Sequence, residues 1–184
     1  MNIRNNIKIS GAVVAILWLV FFINQVTALD LRLHGLRPRN IDGLPGILFA
    51  PLLHLDLAHL IANTGALFVL LTVALAYQRK LALTALLIII VVGGSLVWLF
   101  GNGNAVHIGA SGVIFGLIGF LMSLGVFRRE WTALVISAAV LVLYGGAVQS
   151  LLIYRPGISW SGHLFGFLSG ILAAWCTKRK RSKK

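Results

Sequence analysis

The chain has 184 residues, 59% of them hydrophobic and 11% charged, with a mean hydropathy of +0.95, whereas a soluble domain carries about a quarter charged residues. This composition excludes an ordinary water-soluble domain and points to a bundle of apolar spans. The net charge of +12 does not make a nucleic-acid binder, because the basic residues fall in short clusters between and after the apolar runs, with no nucleic-acid motif beside them.

Apolar runs between helix breakers predict six spans, at about 9–29, 57–77, 81–100, 110–127, 131–153 and 160–177, each near the ~20 residues that cross a hydrocarbon core. One all-α membrane domain over 1–184 is expected. The opening "MNIRNNIK" imitates a secretion signal, but the run behind it exceeds the ~7–15 residues of such a segment, so it reads as a retained first span. The connection from Asp30 to Leu55 holds "GLRPRNIDGLPGILFAP", too rich in Pro and Gly to span. Its Ile47, Leu48 and Phe49 favour a place at the outer interface.

Span 2 begins "HLDLAHLIANTG". His59 and Asn63 are four apart and share a helix face, His54 is predicted to point elsewhere, and Asp56 suits the N-cap. Span 4 begins in "HIGASGVIFG", and Gly112, Gly116, Gly119 and Ser123 form a small-residue stripe beside Ser111 and Phe115. Span 6 begins "SGHLFGFLSGILAAW", where His163, Gly166 and Gly170 run into Ala173 or Ala174 on one face. Such stripes let membrane helices approach closely. If the two face each other, Ser111 and His163 meet at one depth. The plainer readings are glycine-mediated packing for the stripes and interhelical hydrogen bonding for His59 and Asn63.

Six spans put both termini on one side with Arg4, Lys8, Arg79, Lys80, Arg128, Arg129 and the tail "KRKRSKK", which together hold twelve of the sixteen Lys and Arg. The other side holds Arg32, Arg37, Arg39 and Arg155, so the positive-inside rule makes both termini cytoplasmic. The tail is either a topology signal alone or also a contact for anionic membrane lipids. All five histidines, His34, His54, His59, His107 and His163, fall toward the external side. Cys176 is the one cysteine, which rules out an internal disulfide and reads as packing.

A serine hydroxyl becomes a nucleophile when a base takes its proton, and imidazole is the commonest base. His163 is the partner for Ser111 on a packing helix, with His107, four residues upstream, as a rival. No acid falls within a span, so a Ser-His dyad is expected in place of a triad. Ser111 opens its helix, Gly109 leaves the backbone uncluttered, and His59 and Asn63 add side-chain donors for an oxyanion.

These motifs, "GASG" (Gly109 to Gly112), "HLFGFLSG" (His163 to Gly170) and "HLDLAHLIAN" (His54, His59, Asn63), resemble those of the rhomboid intramembrane serine proteases, in the family's order on spans 4, 6 and 2. The resemblance covers nearly the whole chain and implies a rhomboid-like six-helix bundle in a cell membrane, the bacterial inner membrane being the expected one. It implies Ser111 as nucleophile, His163 as base, and His59, Asn63 and the Ser111 backbone N–H as the oxyanion hole. His54, Gly109, Gly166 and Gly170 are then supporting residues, and Phe115 packs on the base where the family often has tyrosine. It further implies single-pass or other transmembrane protein substrates, cut near the external face, and no cofactor or metal. The Trp-Arg pair of some bacterial members is missing from the first loop, where "GLRPR" stands. Two other classes stay open: a non-catalytic rhomboid-like protein that binds membrane clients, and a metal enzyme or transporter using the external histidines. The second of these lacks HExxH and any acid within a span.

Overall fold

The computed structural model describes residues 2–152 and 159–178. Helix α1 spans Ile3–Val26. It starts six residues before the expected span and ends three before its expected end. The Asn2 side chain caps it by accepting the Arg4 N–H at 3.1 Å, so Arg4 and Lys8 are helical. The first loop is built from 3-10 turns at Leu31–His34, Ile41–Gly43 and Ala50–Leu52 around a single-turn helix, α2, Gly46–Phe49.

Helix α3 covers Leu57–Ile88, a π-turn follows at Ile89–Gly93, and α4 covers Gly94–Phe100. The expected loop between spans 2 and 3 shrinks to one extended residue, Gln78 (φ −162°, ψ 109°), so Arg79 and Lys80 are helical. The 44 residues from Leu57 to Phe100 would run about 66 Å if straight, twice the hydrocarbon thickness. Their two ends nevertheless meet: Gly109 abuts His59 near the start, while Gly101 at the far end lies against His107. The chain therefore doubles back at Gln78.

Helix α5, Ser111–Arg128, is central, with every residue from Val113 to Leu121 buried. Its strongest packing is against α7, Trp160–Cys176, and then against α6, Trp131–Gln149. A Cβ on Gly166 would collide with the Gly112 carbonyl, and one on Gly170 with the Gly116 carbonyl. The two stripes do face each other, backbone on backbone, and Ala173 and Ala174 are both buried beyond them. Helix α1 packs on α3, tied by Trp18 Nε1 donating to Thr64 Oγ1 at 3.0 Å.

At the end away from Ser111, Tyr77 donates to Glu130 at 2.9 Å, and Arg128 donates to the Thr177 carbonyl at 3.0 Å while pairing with Glu130. Four helices are joined there around one carboxylate. Outward faces are apolar: on α6, Leu141, Val142 and Leu143 are all exposed. Among the described residues, four helical stretches are long and apolar enough to cross a membrane, namely Ile3–Val26, Leu57–Phe100, Ser111–Arg128 and Trp131–Gln149. The protein is a multi-pass, mostly α-helical bundle. Arg155 and the basic tail after Lys178, both used for sidedness, lie outside the described residues.

Candidate active site

Helix α5 begins at Ser111, and the residue before it, Ala110, supplies no side-chain cap. The first-turn N–H groups are thus left for another acceptor, at the positive end of the helix. Ser111 is half-buried and lines a cavity of about 920 Å³ together with His59, Asn63, Phe115, Tyr144 and His163.

Two residues before the serine, Gly109 stands where a side chain has no room. Its φ is +110°, and a Cβ there would stand 2.6 Å from His59 Cε1 and 2.7 Å from His59 Nε2. The His59 ring thus lies directly over the Gly109 backbone, with Asn63 Nδ2 3.7 Å from the same point. The i, i+4 spacing brings both side chains near the Gly109 backbone. Asn63 Nδ2 is buried with no hydrogen-bond partner among the described residues, a donor whose desolvation is uncompensated until an acceptor arrives. Asp56 is the N-cap, accepting the His59 N–H at 2.8 Å.

His54 corrects the sequence reading, which pointed it away from His59. It lies in the loop before α3, where the 100° helical step does not apply. Its ring meets His59 edge to face at 5.1 Å, and its Nε2 accepts from the Ala110 N–H at 3.5 Å. Burial, and then the neighbouring His59, hold its pKa down to about 4 against a smaller opposing effect of the Leu52 backbone. It is neutral at pH 7, as an acceptor of a backbone N–H must be.

His163 occupies the first turn of α7, its N–H bonded to the Ser159 carbonyl at 3.1 Å. Its ring stacks on Phe115, 4.2 Å between centroids at 12°, so the aromatic one turn after Ser111 fixes the imidazole plane. Ser111 and His163 face the same cavity without a hydrogen bond between them among the described residues. Dyads in unliganded sites often tighten only with substrate present.

The rival histidine is engaged elsewhere. His107 Nδ1 shares a 2.6 Å hydrogen bond with Ser159 Oγ, and its backbone pairs with Leu36 in an isolated β-bridge. The connection that carries His107 is therefore anchored. Burial lowers the His107 pKa, with the Asn102 backbone opposing. His34 is exposed at the edge of the first loop. Among the described residues no three His, Cys, Asp or Glu gather in a way that could hold a metal.

Sequence reasoning missed Ser159 and Tyr144. The signal for Ser159 was its N-cap position, four residues before His163; for Tyr144, a hydroxyl within an otherwise apolar span. It also left the first-loop arginines without roles. Arg39, in the left-handed region at φ +58°, donates to the carbonyls of Leu99 (3.2 Å) and Gly101 (2.9 Å), closing the end of α4.

Residues 43–180 match the family described as "Rhomboid domain". An uncharacterized protein of Mycobacterium tuberculosis is 43% identical over 172 residues, covering 88% of this chain and 71% of its own length. An uncharacterized protein of Mycobacterium leprae is 44% identical over 172 residues, covering 88% and 67%. The Bacillus subtilis protein named "Putative rhomboid protease YdcA" is 30% identical over 138 residues, covering 72% and 67%. These relatives are bacterial and the helices are those of a multi-pass bacterial membrane protein. With three quarters of its length matched and His59, Asn63, Ser111 and His163 of its motifs lining one cavity, the chain belongs to the rhomboid family.

Proposed function

We propose that Ser111 and His163 carry the reaction of this intramembrane serine protease. His163 takes the Ser111 hydroxyl proton as Oγ attacks the scissile carbonyl. The oxyanion forms between the Ser111 N–H, His59 and Asn63. As the tetrahedral adduct collapses, His163 returns the proton to the leaving amine, and water then hydrolyses the acyl-enzyme by the same route. The observation that carries this reading is the buried, unpartnered Asn63 Nδ2 beside His59 over Gly109, two residues from Ser111. Two side-chain nitrogens converge there, beside a hydroxyl. Phe115 in place of tyrosine supports the imidazole by stacking alone.

The finer topology belongs to the same reading. One domain over 1–184 crosses the membrane six times: the stretch Leu57–Phe100 counts twice because it doubles back at Gln78. The 17-residue α7 reaches about 26 Å, within the range that spans. Both termini are then cytoplasmic, Ser111 opens toward the external face, and cleavage occurs in or just outside the outer part of a substrate's transmembrane helix. Single-pass or other transmembrane proteins are the substrates, with membrane lipids as surroundings. No cofactor is needed for the chemistry.

The test is cleavage of a transmembrane test substrate in detergent by wild type, Ser111→Ala and His163→Ala. Both variants are expected to lose cleavage. Full activity in either overturns the assignment, and a wild type that neither cleaves nor reacts with a fluorophosphonate would favour a client-binding role.

A further inference from the structure

The Ser-His hydrogen bond seen among the described residues is not between Ser111 and His163 but between His107 and Ser159. Three features set this pair apart from ordinary polar packing. Serine is a preferred N-cap residue, and its hydroxyl normally accepts from its own helix's first N–H groups. Ser159 sits at the N-cap of α7 and makes no such bond, its hydroxyl being committed across the molecule to His107 at 2.6 Å. Gly162 leaves the room for this, because a Cβ there would stand 2.6 Å from Ser159 Oγ. His107 in turn is fixed by its own backbone, giving its N–H to the Leu36 carbonyl at 2.8 Å and accepting from the Leu36 N–H at 3.0 Å.

The bond lies where it can set the distance between the reacting groups. On one side, His107 is two residues before Gly109 and four before Ser111. On the other, the Ser159 carbonyl accepts the His163 N–H at 3.1 Å. His107 and Ser159 line both the 920 Å³ cavity and a second, small cavity of about 70 Å³, and Ser111 lines both as well. Their bond therefore bridges the wall beside the serine.

We propose that His107 and Ser159 are a positioning pair, whose hydrogen bond registers the first turn of α7, and with it His163, against the loop that delivers Ser111. The inference rests on the Ser111–His163 reading above. His107 touches neither the nucleophile nor the base in this role. Glycine stripes let α5 and α7 approach, but backbone contact between smooth faces leaves sliding along the stripe weakly opposed. A directional bond at the open end fixes the register. A displacement of ~1 Å at a reacting group costs up to about 100-fold in rate, so a loosened start of α7 is expected to cost about tenfold.

The experiment measures kcat and KM separately for a transmembrane test substrate with the full chain in detergent. Its variants are Ser159→Ala, Ser159→Thr, His107→Phe, His107→Asn and the double variant His107→Phe with Ser159→Ala, with melting temperature read for each. Ser159→Ala and His107→Phe are expected to lower kcat about tenfold with KM within twofold. The double variant should be no worse than either single, as for one shared bond. Ser159→Thr keeps the hydroxyl, His107→Asn places an amide near the Nδ1 position, and both should recover most of the rate. Wild-type kcat in Ser159→Ala overturns the proposal. So do multiplicative losses in the double variant, and a loss that Ser159→Thr does not recover. Should His107→Phe fail to fold, the Ser159→Ala and Ser159→Thr comparison decides alone. Ser111→Ala and His163→Ala run in parallel separate the two claims. If both are inactive while Ser159→Ala is fully active, only the positioning role falls; if His163→Ala cleaves while His107→Phe does not, the Ser111–His163 reading falls and the positioning role with it.

Discussion

Replacing Gly109 with alanine puts a methyl group into the proposed oxyanion site. At φ +110° an L-residue is strained, which costs about 1–3 kcal/mol of stability. The new Cβ would stand 2.6 Å from His59 Cε1 and 2.7 Å from Nε2, where ordinary contact begins at 3.4 Å. The ring must therefore retreat by roughly 0.8 Å, or the Gly109 backbone must shift by as much. Either way His59 leaves the position from which it could donate to an oxyanion, and losing one such donor costs about 10²–10³ in kcat. Gly109→Ala is expected to lower kcat at least about 100-fold while KM changes little, because the interaction is made in the transition state. The assay is cleavage of a transmembrane test substrate, with folding checked by thermal unfolding in detergent. Gly65→Ala is the control: it lies on the same helix as His59 with open space around it, and wild-type activity is expected. A folded Gly109→Ala protein with wild-type kcat would refute the placement of His59 over the reacting carbonyl.

Gly170→Ala drives a Cβ onto the Gly116 carbonyl, with Phe120 N at 2.8 Å; as both are backbone atoms, the helices must part, at a cost of about 1–3 kcal/mol, read as a lower melting temperature. Phe115→Leu removes the ring stacked on His163; a contact of about 0.5–1.5 kcal/mol translates into a two- to tenfold loss of kcat, while Phe115→Tyr keeps the stack and the rate. His54 titrates near 4 in the fold, against about 6.5 when free, so as pH falls the unfolded chain takes up its proton first. The stability that neutral His54 contributes is complete above about pH 6.5 and is lost between there and about pH 4. Thermal unfolding at pH 4.5 and 7.5 should therefore differ less in His54→Gln than in wild type.

The helices were legible because membrane helices announce themselves in composition. Apolar runs found the long helices, and glycine spacing on two of them, at 112, 116 and 119 and at 166 and 170, predicted a contact the backbone makes. What stayed hidden depends on contacts between segments far apart in sequence. The π-turn at Ile89–Gly93 reads as ordinary apolar helix, yet Gly93 there faces Ser169 and the Phe165 carbonyl on α7. Nothing local shows that Arg39 would turn back to hold the carbonyls of Leu99 and Gly101. His54 was misplaced because a helical wheel was extended into a loop, and His107 was weighed only against Ser111 because its true partner lies 52 residues away.

The most direct test of the central claim is peptide mapping by mass spectrometry after exposure of the folded protein to a fluorophosphonate. A single adduct on Ser111 in wild type, lost in His163→Ala, is the predicted result. An adduct on Ser159 or any other hydroxyl with Ser111 unmodified, or equal labelling of Ser111 without His163, would contradict it.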